Sequence, residues 1–137
     1  MDDAVRDHAG MEVLSLEQCE ELLDDGYIGR IGFVDAGDPI ILPVNYAYRD
    51  GAVLVLTAPG SKLEAAAVRA PVAFEVDGWD VDYHTGWSVL VNGVLEELDG
   101  DEERKYEDIP LTPWAKRVPR THWLRIRADR ITGRRIS

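Results

Sequence analysis

The sequence predicts a mainly β fold, an antiparallel barrel, closed or split, of six to seven strands with two or more short helices. Short apolar or alternating segments recur along the 137 residues, and turns rich in Gly, Pro and Asp separate them. The strand–helix–strand rhythm of a parallel sheet is missing from this pattern. Residues 11–137 suit one domain with one core, whereas residues 1–10 are polar, acidic and predicted to be disordered.

The first predicted element is a helix that begins after Ser15. Ser15 and Gln18 have the spacing of a capping box, and Gly26 is expected to end the helix in the left-handed conformation. The apolar residues that recur at intervals of three and four are Leu16, Cys19, Leu22 and Leu23. They define one buried face, so we interpret Cys19 as a small buried hydrophobe.

Three antiparallel strands with short connections are predicted next, as a meander. They span residues 27–34, 40–48 and 52–57. Pro39 directly precedes the second strand and Pro43 lies in it. Both indicate that it forms an edge or contains a bulge, because proline cannot donate to a ladder.

The remaining segments complete the predicted barrel. They are a short helix over 63–69, a strand over 72–76, an aromatic-rich loop over 78–86, a strand over 87–98, a charged helix start or loop over 99–107, and strands over 123–127 and 129–136. Gly93 is expected to mark a bulge in the longest strand.

Composition and charge narrow the possible partners. The formal net charge is −11, although eight of the 15 Lys and Arg lie in residues 115–137. Acidic proteins bind the phosphates of nucleic acid poorly. No apolar run approaches the about 18 residues of a membrane helix, and the first ten residues lack the apolar core of a secretory signal. We therefore expect a cytoplasmic protein with no nucleic-acid or membrane partner.

The basic C-terminal residues have two interpretations. Arg125 and Arg127 share one strand face, and we favour their pairing with acidic surface over a role in binding. For Arg134 and Arg135, pairing and contact with an anionic ligand both remain open.

One loop is the strongest candidate in the sequence for binding a ligand. Thr57 to Lys62 ends a strand and opens a helix, where free amides, two hydroxyls, a flexible Gly60 and the charge of Lys62 suit a phosphate. The alternative is a capped helix with a solvated lysine. Fingerprints of dinucleotide sites, phosphate loops, serine hydrolases and zinc peptidases are absent, and the three histidines lack metal spacing, so no metal site is predicted.

Two further segments are candidates for contact with a planar ring. In Leu42–Tyr46, Pro43 removes a ladder donor, which leaves backbone groups for a heterocycle or simply protects an edge strand. Trp87-Ser88-Val89 begins a strand after the aromatic loop, and its indole either covers a ring or joins the core.

Taken in order, five segments resemble the pyridoxamine 5′-phosphate oxidase-like family, and within it the nitroimidazole-reductase-like branch. They are Gly29–Phe33, Pro43–Tyr46, Thr57–Lys62, Phe74–Asp77 and Gly86–Gly93. The resemblance covers residues 11–137 and implies a single flavin-binding split β-barrel domain. It also implies a homodimer with FMN bound at the interface.

The resemblance assigns cofactor-binding roles to three segments. The phosphate would lie at the Thr57–Lys62 loop, the ring would meet the backbone at Val44 and Asn45, and the strand of Trp87 would reach the flavin, often from the second subunit. The implied cofactor-binding residues are Pro43, Val44, Asn45, Tyr46, Thr57, Gly60, Ser61, Lys62, Trp87, Ser88 and Val89. Catalytic residues are not identified.

The activity implied is that of a flavin-dependent oxidoreductase with reduced nicotinamide as the electron donor and an unknown substrate. The alternative is a non-catalytic protein that binds flavin, a deazaflavin coenzyme or haem. For haem, His84 and His122 are the candidate axial ligands.

Overall fold

One antiparallel sheet carries the fold. The computed structural model describes residues 5–113 and 121–137. In these residues the strands are β1 (Glu12–Val13), β2 (Ile28–Asp35), β3 (Asp38–Asn45), β4 (Ala47–Arg49), β5 (Ala52–Thr57), β6 (Pro71–Asp80), β7 (Thr85–Glu97) and β8 (His122–Ile136). The helices are α1 (Leu16–Asp25), α2 (Ser61–Ala67) and α3 (Gly100–Tyr106). None of these three helices is long and apolar enough to cross a membrane.

The order of the strands requires the sheet to curl. It runs β3-β2-β6-β7-β8-β5-β4, and β1 pairs with the end of β8. β3 and β4 lie at opposite ends of this order, yet only Tyr46 separates them in sequence. Because a residue spans at most about 3.6 Å, the two edges of the sheet must meet at Tyr46. The predicted mainly β, antiparallel split barrel is confirmed.

The predicted three-stranded meander is wrong within its second strand, although the tight turn that joins this strand to the third is confirmed by the pairing of β4 with β5. β5 pairs with β4 and β8, while β3 pairs with β2 alone, so residues 40–48 form two strands at opposite edges. The break falls at Tyr46, whose buried hydroxyl donates a 2.6 Å hydrogen bond to the carbonyl of Leu23. The edge position predicted from Pro39 and Pro43 is confirmed.

Helix α1 closes one end of the barrel much as its sequence predicts. Ser15 Oγ accepts from Gln18 N at 3.1 Å and Gln18 Oε1 accepts from Ser15 N at 2.8 Å, which completes the capping box. Cys19 is fully buried, and burial raises the pKa of its thiol. Leu16, predicted on the buried face, is instead 58% exposed, because it begins the helix at the rim.

Gly26 corrects another expectation at the end of α1. Its φ of −83° is not left-handed. A side chain there would instead collide with the Tyr46 hydroxyl. The glycine is therefore required for the close approach of Tyr46 to α1, not for an unusual dihedral angle.

The core fills the inside of the curled sheet, and β5 is covered on both faces. Val53 and Val55 point into the barrel, while Leu54 packs with Leu98 and Tyr106 beneath α3. This explains the apolar sequence of β5 within a single chain. No second subunit is needed to cover this strand.

The β6–β7 hairpin is longer than the sequence predicts. Residues 78–80 and 85–86 belong to paired strands, so the predicted 78–86 loop shrinks to a turn over 81–84. Gly78 and Gly86 allow this extension, since Trp87 and Trp79 lie against them across the ladder. The bulge predicted at Gly93 is confirmed by the register shift between Asn92 and Gly93.

Residues 5–10, within the segment predicted to be disordered, contact the sheet in the structure. Arg6 forms an isolated bridge with Glu12, and Asp7 accepts a 3.0 Å hydrogen bond from Arg134 Nε. These contacts are polar, which is why no apolar periodicity marks the segment. Residues 1–4 lie outside the described part of the chain.

Candidate functional site

A pocket of about 220 Å³ lies at the seam where the two edges of the barrel meet. We call it the seam pocket, and it is lined by Pro43, Val44, Asn45, Leu56, Thr57, Ala58, Pro59, Gly60, Ser61, Lys62 and Pro113. It unites the edge strand β3 with the loop that leaves β5 and opens α2. Seven of the eleven residues implied as cofactor ligands therefore share one concavity, although β3 and the loop are distant in sequence.

The loop presents backbone donors to this pocket. Gly60, at φ 157°, is the N-cap of α2 and provides no side-chain cap, whereas Ser15 and Asp99 cap α1 and α3 with complete capping boxes. The first amides of a helix have no partner within the helix and are typical donors to anions. Thr57 is buried, and its hydroxyl donates to the Ala58 carbonyl at 3.1 Å.

Lys62 is the charged side chain of the seam pocket, and it is partly buried rather than fully solvated as an exposed helix surface would leave it. Burial lowers the pKa of its ammonium group. Within residues 5–113 and 121–137 no carboxylate forms an ion pair with it. A desolvated cation without an acidic partner is unfavourable unless an anion joins it.

Strand β3 turns its free edge towards the pocket. Tyr46 N donates to Tyr27 O at 2.9 Å, so these two residues form a hydrogen-bonded pair of the ladder. Bonded and non-bonded pairs alternate along an antiparallel ladder, and Pro43 is three residues away from Tyr46, so its backbone points away from β2. Pro43 has no N–H to leave unpaired, and its carbonyl faces the seam. The Val44 side chain is buried beneath, and the Asn45 side-chain amide donates to Thr112 O at 3.0 Å at the rim.

Four of the implied ligands lie elsewhere in this chain. Tyr46 is buried and bonded to α1, and Val89 is fully buried in the core. Trp87 and Ser88 line a separate cavity of about 350 Å³, which we call the indole cavity. Its lining residues are Met11, Glu75, Asp77, Gly78, Trp79, Gly86, Trp87, Ser88, Arg134 and Ile136.

A charged cluster that was not predicted from the sequence lies at the indole cavity. Arg30 Nη1 lies 3.3 Å from both Glu75 Oε1 and Asp77 Oδ2. Burial, followed by the hydrogen bond and charge of Asp77, raises the pKa of Glu75 to about 7 against the opposing effect of Arg30. The available signal was the alternation Phe74-Glu75-Val76-Asp77, which puts both acids on one strand face.

The two histidines proposed for haem are far apart. His84 lies in the turn before β7, and His122 Nδ1 lies 3.1 Å from Glu97 Oε2 at the other end of that strand. A strand of 13 residues spans about 40 Å, so the two rings cannot ligate one iron from opposite sides. In the described ranges, no three His, Cys, Asp or Glu side chains group to hold a metal ion.

The C-terminal arginines fall into two groups. Arg125 and Arg127 form ion pairs with acidic side chains, whereas Arg134 forms an ion pair and also lines a cavity. Arg125 pairs with Glu96 at 2.6 Å and with Glu102 at 2.7 Å, and Arg127 with Glu96 at 3.0 Å, which confirms the pairing predicted for both. Arg134 pairs with Asp7 at 3.0 Å and also lines the indole cavity. Lys116 and its basic neighbours up to residue 120 lie outside the described residues.

Comparison with known proteins supplies the family. The model of the pyridoxamine 5′-phosphate oxidase family matches residues 15–135. The chain belongs to this family. An uncharacterized protein of Mycobacterium tuberculosis is 35% identical to it over 134 residues, which cover 91% of this chain and 86% of the relative.

Two solved members of similar structure are described as flavin proteins. The FAD binding protein from Mycobacterium smegmatis shares 36% identity and a TM-score of 0.76, over 91% of this chain and 99% of its own. An FAD-binding protein from Mesorhizobium loti shares 26% identity and a TM-score of 0.77, over 93% and 99%. The resemblance to pyridoxamine 5′-phosphate oxidases seen in the sequence is thus confirmed.

Proposed function

We propose that this member of the pyridoxamine 5′-phosphate oxidase family is a flavin-dependent oxidoreductase that holds the phosphate of its flavin nucleotide in the seam pocket. The observation that carries the proposal is Lys62. Lys62 is partly buried, has no acidic partner among the described residues, and lines a pocket that also borders the uncapped start of α2. A phosphate supplies the negative charge and the acceptor oxygens that this arrangement lacks.

The size of the seam pocket supports a phosphate rather than a whole nucleotide. At about 220 Å³ it is smaller than the roughly 300–1,000 Å³ of a pocket that encloses a drug-sized ligand. The flavin ring would therefore lie outside it, along the free edge of β3. There the Pro43 carbonyl and the backbone of Asn45 lie on the edge that can meet the polar side of a heterocycle. The backbone of Val44, which the resemblance also implies, alternates with them and faces β2.

The flavin nucleotide can be FMN, which the family resemblance implies, or FAD, which the two solved relatives are described as binding. Both carry the same ring, the same ribityl chain and a first phosphate, so the role of Lys62 is common to them. A bound flavin would supply the hydride and electron transfer, and the chain supplies binding, orientation and charge.

Two further expectations belong to this proposal. The electron donor is a reduced nicotinamide, and two copies of the chain associate. The strand of Trp87 does not reach the seam pocket of its own chain, so in a dimer it would approach the flavin of the partner. The exposed apolar residues on the outer face of β2 and β3 favour such association.

The test is the chromophore of the purified protein. We expect a yellow protein, or a colourless one that takes up added FMN or FAD, and mass spectrometry of the released chromophore tells the two apart. Oxidation of reduced nicotinamide by the loaded protein would establish the redox activity. A strong Soret band, a deazaflavin spectrum, or no uptake of either flavin would contradict the proposal.

A further inference from the structure

Two carboxyl side chains and one arginine form a compact cluster on the outer face of β6. Glu75 Oε1 and Asp77 Oδ2 lie 3.3 Å from the same atom, Arg30 Nη1. A single guanidinium cannot neutralise two carboxylates. The cluster therefore keeps a net negative charge unless it also binds a proton.

The pair holds that proton near neutral pH. Burial, with a hydrogen bond and the charge of Asp77, raises the pKa of Glu75 to about 7, and Arg30 opposes this rise. Two carboxyl groups in contact titrate as one unit and share the proton. Under ordinary conditions the cluster is thus poised between giving and taking a proton, as efficient acid–base catalysis requires.

The strands packed against Glu75 determine which charges it meets. β2 contributes Arg30 and β7 contributes the uncharged Leu90 as its cross-strand partner. β8 contributes Arg134, whose charge is shared with Asp7 of the N-terminal segment.

The cluster also faces space that a ligand can fill. Glu75 and Asp77 line the indole cavity of about 350 Å³, together with Trp79 and Trp87. Trp79 is 57% exposed, which is unusual for so large an apolar side chain. Trp79 shares the outer strand face of Glu75 and Asp77, whereas the Trp87 side chain packs against the core on the opposite face. An exposed indole beside a carboxyl pair is suited to stack on a planar ring, while a carboxyl group bonds the polar substituent of that ring.

The register of β3, β2 and β6 places this cluster near the seam pocket. Pro43, which lines the seam pocket, is the cross-strand partner of Arg30, and Arg30 is the partner of Glu75. Neighbouring strands lie about 4.8 Å apart, so Glu75 is two spacings, or about 10 Å, from Pro43 across one sheet face. A nucleotide-sized ligand anchored in the seam pocket spans such a distance.

We propose, resting on the proposed function, that Glu75 is the proton donor to a planar carbonyl acceptor, of the quinone class, that is reduced at this face. Asp77 shares the proton, and Arg30 is the positioning residue that holds both carboxyl groups. In the step, the quinone gains a hydride from the reduced cofactor and a proton from Glu75 and becomes a hydroquinone. Glu75 is left as a carboxylate and regains its proton from water.

The first test needs no flavin. Infrared titration of the apoprotein is expected to show a protonated carboxyl band with a midpoint near pH 7, which Glu75→Gln removes. Glu107→Gln, at an exposed position after α3, should leave the band unchanged. Ionisation of Glu75 with a midpoint near pH 4 would overturn the inference whether or not flavin binds.

The second test uses the flavin-loaded, reduced protein and two acceptors. Menadione is the quinone probe, and ferricyanide accepts single electrons without a proton. We expect menadione reduction to slow as pH rises through 7 in the wild type. In Glu75→Gln it should be at least tenfold slower below pH 7 and independent of pH, while ferricyanide reduction is unchanged.

The outcomes separate the two proposals. An unchanged menadione profile in Glu75→Gln, with flavin bound, would overturn the role of Glu75 and leave the proposed function standing. Equal slowing with menadione and ferricyanide would mean damage to the flavin site and would also overturn it. A chain that binds no flavin would overturn both proposals.

Discussion

Single residues at close approaches decide how the barrel is closed. Tyr46 bridges the two edges of the sheet, and its ring packs edge-on against Phe74 with centroids 4.8 Å apart. Its hydroxyl reaches the last turn of α1, where Gly26 leaves the room it needs. The position of the seam pocket, directly beside Tyr46, therefore depends on a residue that does not itself line the pocket.

Replacing Gly26 by alanine tests this dependence. The added methyl group would displace the Tyr46 hydroxyl, and overpacking of this kind costs about 1–3 kcal/mol. Urea denaturation should show the loss. Gly100→Ala is the matched control, because open space surrounds that position at the start of α3, and it should be neutral or slightly stabilising. Equal stability of Gly26→Ala and the wild type would contradict the assigned role.

At the scale of elements, paired charges hold β7, β8 and α3 together. Glu96 on β7 forms ion pairs with Arg125 and Arg127 on β8, and Arg125 also forms an ion pair with Glu102 on α3. Burial raises the pKa of Glu96, but the hydrogen bonds and charges of the two arginines outweigh it and give a net lowering. The ionised form of Glu96 is thus the one that the fold stabilises.

A Glu96→Gln variant should lose stability in a pH-dependent manner. A carboxyl whose pKa is lowered by folding contributes above its unfolded pKa of about 4.3, and the contribution is lost as pH falls through the lower folded value. We expect a loss of about 1.5–3 kcal/mol at pH 7 that vanishes in strong acid, measured by denaturant titration. Glu107→Gln should show no such loss. A pH-independent loss in Glu96→Gln would refute the ionic origin.

Elements defined by local signals were predictable, and those defined by register were not. A few neighbouring residues were enough to predict three features: the capping box of α1, the edge position of β3 from its prolines, and the bulge at Gly93. The Thr57–Lys62 loop was recognisable for the same reason. The contact of Arg30 with Glu75 joins strands 45 residues apart, so it emerges only when the pairing is known. The cover of Leu54 by α3 likewise depends on tertiary packing.

At the scale of the whole molecule, the outer sheet face is the surface most in need of a partner. Ile28, Val34 and Ile41 project from neighbouring strands with exposures of 52, 65 and 73%. Such a patch marks an interface more often than free surface. A second copy of the chain is the proposed occupant. Ile41 borders the same surface as Arg30, Glu75 and Asp77, so the acceptor proposed at Glu75 would enter through a cleft that the second copy leaves open.

Substitution of Ile41 tests the proposed dimer. Light scattering at micromolar concentration should give twice the chain mass for the wild type, and Ile41→Lys should shift it towards the monomer because a buried lysine charge is costly. Val68→Lys, at an equally exposed apolar site after α2, is the control and should remain dimeric. A monomeric wild type would contradict the proposal.

The central claim, that Lys62 holds the phosphate of a flavin, is tested most directly by comparing FMN with riboflavin, which lacks the phosphate. Titration of the apoprotein should show FMN binding at least tenfold more tightly, since a hydrogen bond to a charged group is worth about 1.5–3 kcal/mol. Lys62→Ala should remove this preference by weakening FMN alone, while Lys105→Ala, on exposed α3, should keep it. Equal affinities for FMN and riboflavin in the wild type, or a preference that survives in Lys62→Ala, would contradict the claim.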